Sequence, residues 1–235
     1  MSNLPSHDRH APRIVLDGLV IGYPRKPCSL PIHLRLDPGT FILRGSNGCG
    51  KSTFLRTVAG VLPPLAGRVT VAGYDLRREH LQVHRRLAYA PDQVPLPPTA
   101  LAGELLQIVR WAHGLSEDLC RSAMAERFGI VPYLGKPLQS LSLGQRRRVI
   151  LVSALALNAP ITLMDEPTVG LDHAGLLVLQ DLLKERNAAG LLTVVVTHEA
   201  WADALPEARR LRWASTTPDG LGEPRPDQAP QLLAP

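Results

Sequence analysis

Several things are scarce in this 235-residue sequence, and each shortage excludes a class of protein. There are three cysteines, Cys28, Cys49 and Cys120, odd in number, far apart and without Cys-x-x-Cys or nearby His spacing. That argues against a disulfide framework and a zinc site, and fits a reducing cytoplasm. Long apolar runs are missing: the longest, 149–164, is interrupted by Ser153, Asn158, Pro160 and Thr162. It falls short of the roughly 20 residues needed to span a bilayer, so no unaided membrane crossing is expected. Residues 1–13 carry His, Asp, Arg and Pro where a secretion signal needs an apolar stretch, so secretion is not expected either. Charge of one sign is never concentrated. The net +5 is scattered, with no block longer than Arg146-Arg147-Arg148, and no nucleic-acid partner is expected. Lysine is rare, Lys26, Lys51, Lys136 and Lys184 among 26 cations, so a lysine inside a motif is hard to dismiss as background.

What remains, 45% hydrophobic and 20% charged residues, suffices for one large domain with a real core. Residues 1–11 are polar and aperiodic and 216–235 are rich in proline, so both ends read as tails around a domain over 12–215. Alternating stretches at 14–19 and 32–36 predict half-buried strands, followed by a turn at Asp37-Pro38-Gly39 and a short buried strand over 40–43. Helical spacing of Phe54, Leu55, Val58 and Ala59 predicts a helix over 51–59, stopped by Gly60. Further strands are expected at 67–74 and 87–90. From about 94 to 148 helical periodicity takes over, in 101–113, 117–128 and 144–157, as a mostly helical insertion. Continuous apolar runs at 161–164 and 192–197, separated by a helix over 173–187, then have the form of a parallel sheet covered on both faces.

Between the strand at 40–43 and the helix at 51–59 lies Gly45-Ser46-Asn47-Gly48-Cys49-Gly50-Lys51-Ser52-Thr53, a Gly-x4-Gly-Lys-Ser/Thr pattern. The glycines let backbone N–H groups turn inward around phosphate oxygens, the helix N-terminus adds partial positive charge, Lys51 bridges terminal phosphates, and Ser52 holds Mg²⁺. Cys49 reads as a small space-filler, or as a reactive thiol at a helix N-terminus whose alkylation blocks binding at this loop. Downstream, the apolar strand at 161–164 ends in Asp165 and Glu166. Parallel neighbouring strands would set Asp165 beside the phosphate loop to order Mg²⁺ through water, with Glu166 aimed at an attacking water.

Leu141-Ser142-Leu143-Gly144-Gln145 resembles the signature of the ATP-binding cassette family, usually Leu-Ser-Gly-Gly-Gln, and stands 24 residues before Asp165. Tyr23 resembles the family's adenine-stacking aromatic, Val169-Gly170-Leu171-Asp172 its D-loop, and His198 its switch histidine. The resemblance covers about residues 14–214 and implies a P-loop NTPase α/β fold: a RecA-like core with a mostly parallel sheet, an N-terminal antiparallel β subdomain, and a helical signature subdomain over about 94–148. It further implies that ATP lies between the phosphate loop of one subunit and Ser142, Gly144 and Gln145 of a second, in a head-to-tail homodimer. His198 contacts the γ-phosphate, Glu166 is the catalytic carboxylate, and Asp172 belongs to the nucleotide site.

Two departures from the family pattern stand out. Leu143 replaces the first signature glycine. Tyr89-Ala90-Pro91-Asp92-Gln93 resembles the Q-loop, but either Asp92 or Gln93 takes the position that faces Mg²⁺. Arg146, Arg147 and Arg148 read as a solvated helix face or, for one of them, as a phosphate or dimer contact. The resemblance implies an ATPase subunit docked under a separate integral membrane permease, on the inner face of the membrane. Val94, Pro95, Leu96, Pro97, Pro98 and Leu101, with Trp111, are either the grip for that partner or subdomain core. The compact chain resembles bacterial exporter-type cassettes more than sugar importers. A cassette ATPase with soluble partners, of the iron–sulfur-assembly type, and a nucleotide-gated scaffold with little hydrolysis share the same motifs.

Overall fold

A computed structural model describes residues 13–213 and 231–232. The chain begins with β1 (Ile14–Val20), the short strands β2 (Gly22–Tyr23) and β3 (Lys26–Pro27), β4 (Ile32–Leu36), β5 (Gly39–Arg44) and helix α1 (Lys51–Val58). It continues through β6 (Ala66–Val71), β7 (Tyr74–Asp75), α2 (His80–His84), β8 (Leu87–Ala90), α3 (Ala102–His113), α4 (Ala123–Arg127) and α5 (Leu143–Leu155). The last elements are β9 (Ile161–Asp165), α6 (His173–Ala188), β10 (Leu192–Val196), β11 (Arg209–Arg212) and β12 (Gln231–Leu232).

The strands form an antiparallel sheet in the order β4-β1-β6-β7 and a second sheet in the order β12-β11-β5-β10-β9-β8. In the second, every neighbouring pair from β11 to β8 is parallel and only β12 runs against its neighbour. This is the α/β architecture expected, with the N-terminal antiparallel sheet and a helical segment between β8 and β9. Side chains of the parallel strands alternate between two cores. Phe41, Leu43, Ile161, Leu163, Val194 and Val196 pack toward the antiparallel sheet and α1. Ile42, Met164 and Val195 pack toward the helices. Burial on both faces is why β9 and β10 read as unbroken apolar runs.

Four details differ from the sequence reading. The expected helix at 117–128 is broken: Leu119–Arg121 is a single 3₁₀ turn, and α4 starts only after Ser122. The Asp118 carboxylate accepts from the Cys120 N–H at 3.1 Å, and Ser122 Oγ from the Ala125 N–H at 3.2 Å. Short polar side chains thus capture backbone donors that a continuous helix would need. The expected strand at 67–74 folds back at Ala72 (φ 48°) and Gly73 (φ 84°), the two left-handed residues of a tight hairpin. In the sheet, β9 is not the neighbour of β5, because β10 lies between them. Finally, Gln231–Leu232, within the expected C-terminal tail, pairs with β11 through Leu211 and Arg212. The rest of the two expected tails lies outside the described residues.

Candidate nucleotide-binding site

The ends of β5, β10 and β9 are level, Val196 pairing with both Leu43 and Asp165, so the segments leaving them open on one edge of the sheet. That edge is where open α/β sheets bind ligands. Gly48 (φ 76°) and Gly50 (φ 101°) take left-handed backbone, which lets the loop after β5 curl before α1. Gly50 caps α1 without a side-chain bond, and the first turn carries no acidic residue, so its N–H groups face outward without a protein carboxylate. Lys51 is buried, its ammonium donating to the Gly45 and Ser46 carbonyls, each at 2.8 Å. Trp213 roofs the loop: its Nε1 donates to the Cys49 carbonyl at 2.7 Å and its ring lies 4.9 Å from that of Phe54.

Ser52 Oγ donates to Asp165 Oδ1 at 3.1 Å. The two residues therefore meet although a strand separates β5 from β9, because α1 passes back over the sheet. Asp165 is fully buried, and its second oxygen, Oδ2, has no hydrogen-bond partner among the described residues. Burial pushes its carboxyl up; the Ser52 bond opposes this, the Asp92 charge adds to it, and Arg56 and Arg147 oppose it. A hydroxyl and an unpartnered buried carboxylate oxygen form the oxygen-only donor set that suits a hard divalent cation.

Glu166 follows at φ 47°, a left-handed conformation rare for a side chain of its size, and its N–H donates to the Val196 carbonyl at 2.9 Å. Its carboxylate lies 3.4 Å from His198 Nε2. Burial raises the Glu166 carboxyl above its ordinary range, with His198 the main opposing influence.

A cavity of about 640 Å³ joins Tyr23, the loop from Asn47 to Thr53, Glu166 and His198. It thus gathers Asn47, Gly48, Cys49, Gly50, Lys51, Ser52, Thr53, Tyr23, Glu166 and His198 into one wall. Gly45, Ser46 and Asp165 are not part of its lining; Asp165 is buried, whereas Ser46 is exposed. Lys26, Pro27 and Cys28 also line the cavity, and the sequence reading passed over them. The signal for them is local: β2 and β3 form a hairpin in which Tyr23 faces Lys26, so whatever Tyr23 borders, β3 borders too. Cys49 is buried, which makes it a space-filler rather than an open thiol.

The signature lies outside this cavity. Ser142 Oγ accepts from the Gln145 N–H at 3.2 Å while Gln145 Oε1 accepts from the Ser142 N–H at 3.0 Å, a reciprocal cap at the start of α5. Leu143 is exposed. Gly144 packs against the D-loop so tightly that a Cβ there would stand 2.2 Å from the Gly170 carbonyl oxygen. Asp172 caps α6, accepting from the Gly175 N–H at 2.8 Å, and pairs with Arg148. Gly144→Ala is therefore expected to push α5 off the D-loop and reduce ATP turnover by about ten-fold or more, with single-site nucleotide affinity kept. Steady-state hydrolysis beside titration with a fluorescent ATP analogue measures both; turnover at the wild-type level would show that this contact is not needed.

The solvated arginine face is a correction. Arg147 is buried, with a side chain 2% exposed, and it pairs with Asp92; Arg146 Nε and Arg148 Nη1 donate to the Leu138 and Phe128 carbonyls at 3.2 and 3.0 Å. Helix α5 is packed nearly all round, so three consecutive arginines cannot all face water. Gln93, beside Asp92, is exposed. Val94 and Leu96 pack against the helical-side core, while Trp111 is 72% exposed and Ile108, one turn before it, is also exposed.

A phosphate loop, an acidic strand end and a capped signature helix on one mostly parallel sheet define a P-loop ATPase of the cassette class. Residues 31–169 match the family described as ABC transporter, and this chain belongs to that family. Over 165 residues it is 36% identical to the cytochrome c biogenesis ATP-binding export protein CcmA of Paramagnetospirillum magneticum, covering 68% of this chain and 75% of that protein. It is 33% identical to the achromobactin transport ATP-binding protein CbrD of Dickeya dadantii, over 77% of this chain and 71% of that one. A solved structure described as the ATP binding subunit of an ABC transporter superposes with a TM-score of 0.75 at 26% identity, covering 85% of each chain. The protein is an ATP-hydrolysing subunit that powers transport through a separate membrane component. Among the described residues no helix is long and apolar enough to cross a membrane.

Proposed function

We propose that the protein hydrolyses ATP at the interface of a head-to-tail homodimer docked beneath a membrane permease on the cytoplasmic side. The observation that carries this reading is the split of the motifs. The phosphate loop, Glu166 and His198 share one cavity, while Ser142, Gly144 and Gln145 lie outside it, where a second copy can supply them. Lys51 and the N–H groups of Asn47 to Thr53 bind the phosphates, and Tyr23 stacks on the base with Lys26 beside it. Ser52 and Asp165 hold Mg²⁺, and of the two Q-loop candidates Asp92 is the one whose charge reaches Asp165. The cation, when bound, offsets phosphate charge and orders the terminal phosphate. Glu166 accepts a hydrogen bond from the attacking water, and His198, 3.4 Å from Glu166, steers its carboxylate and contacts the γ-phosphate. The domain comprises residues 12–215, with the helical subdomain over about 94–148. The exposed Trp111–Ile108 face of α3 is the surface offered to the permease.

Purification of tagged protein from gently solubilised membranes tests the assembly. A multi-spanning protein at equal copy number is the expected partner. Recovery with soluble proteins alone, and none of the chain sedimenting with membranes, would favour a cassette ATPase that serves no transporter.

A further inference from the structure

The arginine that turns inward from the signature helix ends in an unusual place. Arg147 Nη1 donates to the Pro91 carbonyl at 3.0 Å and to the Asp165 carbonyl at 3.4 Å, and Nη2 pairs with the Asp92 carboxylate. One cation thus joins α5 to the segment after β8 and to the end of β9. The Asp165 carbonyl belongs to the peptide bond that links Asp165 to Glu166. The N–H of the same peptide is held by the Val196 carbonyl at 2.9 Å, and beyond it Glu166 sits at φ 47°. A left-handed non-glycine residue is strained and persists only where its surroundings hold it. Arg147 and Val196 grip the two ends of that peptide.

The ion pair matters as much as the reach. A guanidinium this deeply buried needs a counter-charge. Among the described residues Asp92 is the carboxylate within ion-pair distance of it, although Asp92 itself is half-exposed and 55 residues away in sequence. Arg147 Nε is buried without a partner, so the fork is oriented by its other two nitrogens. A bridge that only fastened two subdomains together could end on any carbonyl. This one ends on the peptide that presents the hydrolytic carboxylate and, through the same guanidinium, on the Asp92 carboxylate.

Resting on the hydrolytic reading above, we propose that Arg147 is a positioning residue for ATP hydrolysis: it couples the signature helix to the Asp165–Glu166 peptide and restrains the Asp92 carboxylate beside the Ser52–Asp165 pair. A displacement of α5 then moves the Glu166 backbone and redistributes negative charge at the cation site in one step. The pairing also accounts for an acidic residue at this position. Without Arg147 the site would carry Asp92, Asp165 and Glu166 with less compensation.

The test compares the full-length wild type with Arg147→Gln, Arg147→Lys, Asp92→Asn and the Arg147→Gln/Asp92→Asn pair. Each is assayed for steady-state ATP hydrolysis, for Mg²⁺-dependent binding of a fluorescent ATP analogue, and for melting temperature. Arg147→Gln is expected to lower kcat about ten-fold or more with KM changed by less than about three-fold, because the peptide is lost as a support but the phosphate loop is not. Its Mg²⁺ half-saturation for nucleotide binding should fall several-fold, since Asp92 is released toward Asp165. Adding Asp92→Asn should return that half-saturation to the wild-type value without restoring kcat. Arg147→Lys, which keeps the charge and loses the fork, should hold the Mg²⁺ dependence and lose only part of kcat.

A bridge with no bearing on the site would lower the melting temperature and leave the Mg²⁺ dependence where it was. That outcome, a kcat for Arg147→Gln within two-fold of wild type, or a Mg²⁺ half-saturation of the pair that stays at the Arg147→Gln value, overturns the proposal. Should Arg147→Gln fail to fold, Asp92→Asn alone decides: it leaves the cation uncompensated and must weaken Mg²⁺ several-fold. A wild type that binds nucleotide but does not turn it over would sink the hydrolytic reading, while the binding arm still tests the coupling.

Discussion

Glu166→Gln is expected to bind MgATP with near wild-type affinity and to lose about 10²–10⁴-fold in turnover, the usual contribution of a positioned general base. The side chain keeps its length and its oxygen, so the contact with His198 at 3.4 Å and the left-handed backbone are both retained. What disappears is the negative charge that accepts a proton-bearing water. Since no binding contact is removed, the ATP-loaded form should accumulate, and with it the homodimer. Size-exclusion chromatography with light scattering, with and without ATP, alongside a steady-state hydrolysis assay, measures both effects. Turnover near the wild-type rate would show that Glu166 is not the hydrolytic carboxylate. A variant that stays monomeric with ATP bound would argue against the shared-site arrangement.

Lys51→Ala should act one step earlier, on binding itself. The ammonium is buried, and its two 2.8 Å bonds to Gly45 and Ser46 show that the loop presents its carbonyls to a cation at the point where phosphate oxygens would arrive. Charge-assisted bonds in a site shielded from water contribute about twice as much as neutral ones. Removing the only cationic side chain of the loop should therefore weaken ATP by about a hundred-fold or more, at about 1.4 kcal/mol per ten-fold. The loss should be smaller for AMP, whose single phosphate has less to offer Lys51. Calorimetric titration with ATP, ADP and AMP reads the gradient directly. Equal losses for all three nucleotides would point to collapse of the loop, and a matching drop in melting temperature would confirm that cause.

Much of the site was legible in the sequence for a physical reason: it is built from local chemistry. A glycine loop after a buried strand, two carboxylates at a strand end and a serine cap before a helix each report their geometry within a few residues. The parallel strands declared themselves too, because burial on both faces leaves an unbroken apolar run. The contacts that escaped are those set by distant packing. Nothing in residues 141–155 announces that Arg147 points inward, since periodicity weakens when a helix is enclosed on nearly every side. Lys26 and Cys28 reach the cavity only because a two-residue hairpin folds them against Tyr23. The helix expected over 117–128 failed because Asp118 and Ser122 offered the backbone competing partners, an effect that apolar spacing does not register.

Trp213 also makes the protein its own optical gauge. Of the three tryptophans, Trp111 stands 72% exposed, Trp201 is partly covered, and Trp213 is sealed at 3% with its indole N–H on the Cys49 carbonyl. Emission from Trp111 should be red-shifted and open to quenching by acrylamide, and that from Trp213 blue-shifted and protected. Cys49 stands between the two glycines that let the phosphate loop bend, so a triphosphate settling into the loop alters the electric field at the indole. Nucleotide arrival can be followed in unlabelled protein by exciting the tryptophans, and a Trp111→Phe background leaves Trp213 to dominate the signal.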